Sequence, residues 1–299
     1  MHGNPEARAR IEAVILGGAV GDACGAACEI AGFRGFDALP TRLRISDDTQ
    51  LTLATCEAIA ERGGVDPDAI AASFLRWFRA RRLTGLGAST LKALRDLDAG
   101  GHWALAGARG ERAAGNGAAM RAAPLAFVLD PEDANDRRTL RDVCRITHHH
   151  DEAYAGALAV VVALHSASTS SLDGLLERAA AALPDCRVRD RLRELAMLAP
   201  NSSIEDVGAR YGNSGYVVES VPLALFIARD AATIGFSGVL ERALRAGGDV
   251  DTIASIACQV ATAAQGSSIE RDLLDRIEGV HAIVAMARSF AAFVARSPR

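Results

Sequence analysis

The sequence predicts an all-α fold, a compact multi-helix globule built as a single domain over residues 1–299. Apolar residues recur at three- and four-residue spacing in one segment after another, which gathers them on one face of a helix. No stretch sustains a two-residue alternation, and β-branched residues never cluster as a strand-rich core requires. Alanine and glycine are frequent inside the helical segments, where they lower helix propensity but let backbones approach closely.

Along the chain, the first segment runs Ala13-Val14-Ile15-Leu16 into Gly17-Gly18-Ala19. Arg8 and Arg10 ahead of it give the outline of a signal peptide, but Glu12 and Asp22 interrupt the run, so the segment is expected to belong to the fold. Cys24 and Cys28 stand four apart on a small-residue face, as buried thiols do. Residues 49–62 carry Leu51, Ala54, Ala58 and Ile59 at helical spacing, and residues 68–81 carry Ile70, Phe74, Trp77 and Phe78 likewise. Residues 115–120 open Gly-Asn-Gly and are expected to form a loop entering a helix. Further helices are expected over 153–167, 217–228, 251–264 and 273–295. The longest apolar run, 155–164, falls far short of a membrane span and is expected in a buried helix.

Composition excludes several classes. Hydrophobic residues make up 49% and charged residues 23%, enough apolar material for a large core and too little charge for a disordered chain. A net charge of −4 leaves no electrostatic footprint for a nucleic-acid backbone or an anionic membrane. Six cysteines have neither zinc-site spacing nor the density of a disulfide scaffold, which implies a reducing, cytoplasmic setting. There is no solenoid-length repeat, no P-loop and no Gly-x-Ser-x-Gly elbow.

The chemistry concentrates in two acidic clusters, Ser46-Asp47-Asp48-Thr49 and Asp249-Val250-Asp251-Thr252 after Gly247-Gly248. Each closes a short loop and opens a helical stretch. Adjacent carboxylates repel and lose hydration when buried, so this pairing fits two halves of a dinuclear site neutralised by hard cations, magnesium or manganese. Alternatively, Ser46 and Thr252 are ordinary caps and the aspartates complement the helix dipole. Zinc is disfavoured because neither cluster has Cys or His beside it in sequence. Gly115-Asn116-Gly117-Ala118-Ala119-Met120 offers free backbone N–H groups of the kind that attract phosphate, or a plain tight turn. The run His148-His149-His150-Asp151 is not a metal site, since consecutive side chains diverge; His149 and His150 are expected in a loop or cap.

Taken in order, Gly17-Gly18-Ala19-Val20-Gly21-Asp22-Ala23-Cys24-Gly25 with Glu29, Ser46-Asp47-Asp48-Thr49-Gln50, Gly115 to Arg121, Ile146-Thr147-His148, Gly215-Tyr216-Val217-Val218-Glu219-Ser220 and Gly247 to Ala254 resemble the ADP-ribosylglycohydrolase family. The resemblance implies a compact all-α domain with two divalent cations, Mg2+ or Mn2+, at the floor of a cleft. It implies Ser46, Asp47, Asp48, Asp249, Asp251 and Thr252 as metal ligands. It further implies Glu29 as the essential carboxylate, with Asp48 and Asp249 beside it in catalysis, and Gly115, Asn116, Gly117, Met120, His148 and Tyr216 as the lining of the substrate cleft. The implied reaction is hydrolysis of the bond between ADP-ribose and an acceptor, arginine or serine of a modified protein, by a monomer. Alternatives are hydrolysis of a small ADP-ribose conjugate, or ADP-ribose binding without catalysis. Ala113 and Ala114 stand where several relatives carry polar or aromatic side chains, which bears on linkage specificity.

Overall fold

The computed structural model describes residues 5–29, 32–169, 171–199, 201–266 and 269–296. Helix α1 (Pro5–Cys28) is long and apolar enough to cross a membrane, with mean hydropathy 1.5, but 83% of its most apolar stretch is buried in the protein. Apolar all round, it is a core helix. Next comes α2 (Asp47–Arg62), which begins two residues before the expected start because the Ser46 hydroxyl accepts the Asp48 N–H at 3.2 Å. Gly63, left-handed at φ 82°, ends it. Asp66 caps α3 (Pro67–Arg79), whose apolar stripe buries Ile70, Phe74 and Trp77. Then follow α4 (Ala88–Asp98), α5 (Trp103–Ala106), β1 (Ala108–Arg109), α6 (Ala134–Arg145), β2 (His148–His149) and α7 (Asp151–Thr169). The strands form a two-residue parallel pair. The remaining helices are α8 (Leu175–Ala182), α9 (Arg187–Ala196), α10 (Ile204–Tyr211), α11 (Val217–Ala228), α12 (Ala231–Arg245), α13 (Val250–Gln265), α14 (Arg271–Asp275) and α15 (Val280–Val294).

The organising contact is α1 against α13, antiparallel, along a stripe of glycines. A methyl group on Gly17 would lie 2.6 Å from Thr262 Cγ2, one on Gly21 2.3 Å from the Ala254 carbonyl oxygen, and one on Gly25 2.4 Å from Asp251 Cα. The stripe therefore places the end of α1 against the beginning of α13. Ala254 presents backbone, which cannot rotate out of the way, so Gly21→Ala is expected to lower stability by about 1–3 kcal/mol in a urea melt. An unchanged midpoint would mean that the two helices are less closely packed than this.

Two expectations are corrected. Residues 273–295 form two helices, α14 and α15, because the backbone at 276–278 pairs with Leu43 instead: Leu43 N–H donates to Arg276 O at 2.9 Å and Glu278 N–H to Leu43 O at 2.9 Å. Gly279, at φ 75°, then starts α15. The loop at 115–120 enters short 3-10 turns, Asn116–Ala118 and Ala123–Phe127, rather than an α-helix. The Arg121 guanidinium takes the Gly117 carbonyl at 2.5 Å, and Pro124 has no N–H to give Met120. His149 lies in β2, while His150 acts as the cap, its Nδ1 accepting the Glu152 N–H at 3.0 Å.

Candidate active site

Both acidic clusters open onto one cleft of about 510 Å³. Glu29 reaches it one turn past Gly25, its N–H donating to the Gly25 carbonyl at 3.1 Å. Ser46, Asp47 and Asp48 enter from the start of α2, and Asp249, Asp251 and Thr252 from the start of α13. Gly115, Asn116, Gly117 and Met120 form another wall, with His148 behind them.

Asp22, fully buried in α1, fixes the α2 end by accepting the N–H groups of Ser46 at 3.0 Å and Thr49 at 3.1 Å. The two acidic loops touch where Thr252 Oγ1 donates to Asp48 Oδ2 at 3.3 Å. On the other side Asn116 Nδ2 donates to Asp249 Oδ2 at 2.5 Å and to Ser220 Oγ at 3.0 Å. Asn213 O accepts the Asp249 N–H at 2.8 Å, and Gly215 O accepts the Asn116 N–H at 3.1 Å, so the segment before α11 braces both loops. Gly248, at φ 70°, is required here: a methyl group on it would lie 2.1 Å from Asn213 O.

Each of Glu29, Asp249 and Asp251 offers a carboxylate oxygen within 4.8 Å of the other two. Asp48 Oδ1 is buried and has no hydrogen-bond partner. An unpaired buried carboxylate oxygen beside further carboxylates is a poor arrangement for the protein alone and a good one for a hard divalent cation. The donor set thus fits a metal.

Electrostatics agree. Burial, then Asp251 and Asp22, push Asp47 up to about 8. Burial, then Asp249 and Asp22, push Asp251 up to about 7. Burial and four neighbouring carboxylates hold Asp48 well above the aspartate range, and burial followed by Asp249 raises Glu29. Between the ordinary aspartate value of 3.8 and about 8 the folded chain keeps protons that the unfolded chain has released. Stability of the metal-free protein is therefore expected to fall as pH rises through that window. Thermal melts in chelator at about pH 5 and about pH 8 test this, with added divalent cation raising the midpoint most at the higher pH. A midpoint that rises with pH would contradict it.

His148 is buried, its Nδ1 2.8 Å from Thr147 Oγ1, and its ring presses on the loop: a methyl group on Gly117 would lie 2.7 Å from Cε1. Burial, followed by the charge of Arg121, depresses it to about 3, so it is neutral. Tyr216 is placed differently. Its backbone bridges to Gly115, while its hydroxyl lies 3.4 Å from Arg187 Nη1 and its side chain does not line the cleft. The sequence reading missed Asp22 as the organiser of the α2 loop, although a lone acid in a glycine and alanine run was its signal. It also missed Thr90 and Arg112, which line the cleft and had none.

Against known proteins, the family model for ADP-ribosylglycohydrolase matches residues 3–298. ADP-ribosylhydrolase ARH3 of Danio rerio is 30% identical over 264 residues, covering 75% of this chain and 70% of that protein. The ADP-ribosyl-(dinitrogen reductase) glycohydrolase of Rhodospirillum rubrum is 27% identical over 276 residues, covering 88% of this chain and 87% of its own. Among solved structures, an ADP-ribosylglycohydrolase-related protein complex superposes with a TM-score of 0.70 at 27% identity, covering 97% of this chain and 100% of that one. With the helical architecture and the acidic cleft already in place, the match across almost the whole length settles the assignment: the chain belongs to the ADP-ribosylglycohydrolase family.

Proposed function

We propose that the protein hydrolyses the glycosidic bond between ADP-ribose and an acceptor, an arginine or serine side chain of a modified protein, with two divalent cations, magnesium or manganese. The observation that carries this reading is the meeting of the α2 and α13 acidic loops with Glu29 in one cleft. Ser46, Asp47, Asp48, Asp249, Asp251 and Thr252 would hold the ions, all through oxygen, as both cations prefer. When bound, such ions supply positive charge to ribose hydroxyls and a polarised water.

The chain's own groups have distinct tasks. Glycosidic cleavage builds positive charge on the sugar, and a carboxyl group must move a proton to the leaving atom or from the attacking water. Glu29 is suited to it: it is exposed to the cleft, and burial followed by the charge of Asp249 raises its carboxyl, which favours holding a proton for transfer. Asn116 orients Asp249 through its amide, and Gly115 and Gly117, which carry no side chains, let a pyrophosphate approach that wall closely. Neutral His148 supports that wall without adding charge. All six cysteines are free thiols and all but Cys186 are buried, which supports a cytoplasmic setting.

The test is release of ADP-ribose from peptides modified on arginine or on serine, with magnesium or manganese present and with chelator. Cation-dependent release from one linkage is expected. Failure on both, with both metals, would remove the reading.

A further inference from the structure

The acidic floor raises the question of how the cleft receives an anion. Glu29, Asp47, Asp48, Asp249 and Asp251 are gathered in it, whereas the pyrophosphate of ADP-ribose is negative. Cations at the carboxylates offset the floor, and a pyrophosphate gains further from a positive group at its own end of the cleft. Among the described residues, two cationic side chains line the cleft, Arg44 and Arg112. Arg44 is engaged, its Nε donating to Glu278 Oε2 at 3.1 Å. Arg112 is exposed and has no hydrogen bond or ion pair among the described residues.

The backbone under Arg112 is anchored on both sides. Ahead of it β1 pairs with β2, and Gly110, at φ 84°, turns the chain. Behind it the Ala113 N–H donates to Gly110 O at 2.9 Å, and Ala114 O accepts the Val217 N–H at 3.0 Å. Ala113 and Ala114 are buried methyl side chains and offer no polar bond. A free guanidinium on a fixed backbone, beside two residues whose side chains have no donor for an oxyanion, is suited to binding phosphate oxygens in pairs.

We infer that Arg112 binds the pyrophosphate of the ADP-ribose unit and is a specificity-determining residue, selecting phosphorylated ribosides over uncharged ones. This rests on the hydrolase reading above. Because Arg112 is exposed and unbonded within the protein, its variants keep the fold. Calorimetric titration of the magnesium-loaded protein with ADP-ribose, at low and high salt, provides the test. Arg112→Gln is expected to weaken binding about 10- to 100-fold, the range for a lost charge-assisted bond, and to flatten the salt dependence. Arg112→Lys keeps the salt dependence at intermediate affinity, since it retains the charge without the paired donors. Unchanged affinity in Arg112→Gln, with tight binding by the wild type, overturns the assignment and leaves the hydrolase reading intact. Weakening with an unaltered salt dependence also overturns it, since the side chain would then act by packing on the base. A wild-type protein that does not bind ADP-ribose overturns both.

Discussion

Replacing Asp251 with alanine is expected to reduce turnover of an ADP-ribosylated substrate by at least about 10³-fold, with the far-ultraviolet circular dichroism of the wild type retained. Asp251 stands beside Glu29 and Asp249, and its carboxylate accepts a hydrogen bond from the Thr252 N–H at 2.8 Å. The fold loses little when it goes, because α13 is held by its buried face and by the glycine stripe. On the proposed reading, a cation would lose a ligand it cannot replace with water at equal charge. Calorimetry with magnesium should show weakened binding alongside the lost turnover. Full ion binding in an inactive variant would show that Asp251 serves the chemistry in some other way.

Asp48→Asn is expected to abolish turnover and yet make the metal-free protein more stable. Asp48 is 2% exposed, its Oδ1 has no partner, and four carboxylates surround it. The amide is close in shape and is neutral without taking up a proton, so the cost of keeping a buried carboxyl protonated at neutral pH disappears. The midpoint in chelator should rise by about 2–4 °C, which corresponds to about 1 kcal/mol in a domain of this class. The increment that magnesium gives the wild type should vanish. A variant less stable than wild type in chelator would mean that hydrogen bonds from Ser46 and Thr252, and not a cation, are what Asp48 is there to accept.

Much of this was legible in the sequence. Segments with a sustained apolar repeat were placed well: 217–228 coincides with α11, and 251–264 falls one residue inside α13 at each end. The two acidic loops were recognisable because hydroxyl-flanked acids at helix starts form a local pattern. What was missed depends on partners distant in sequence. Nothing in residues 273–295 announces that Leu43 will claim the backbone at 276–278, and the 3-10 turns around Asn116 are too short to have a period. Asp22 reads as one acid in a small-residue helix until the α2 loop is seen resting on it. Arg112 has no motif at all, and only its place on the cleft wall distinguishes it from other surface arginines.

The glycine stripe also governs when the site can come into being. Gly17, Gly21 and Gly25 are made long before their counterparts Thr262, Ala254 and Asp251. Contacts between such distant positions require closing a very long loop, which slows folding, and domains build from the amino terminus as the chain emerges. The face of α1 that packs on α13 must therefore wait until α13 leaves the ribosome. A nascent chain truncated before residue 250 would have Glu29 and the first acidic loop but no second loop to share a cation with them. On the proposed reading, metal capture would then be a late event in biogenesis.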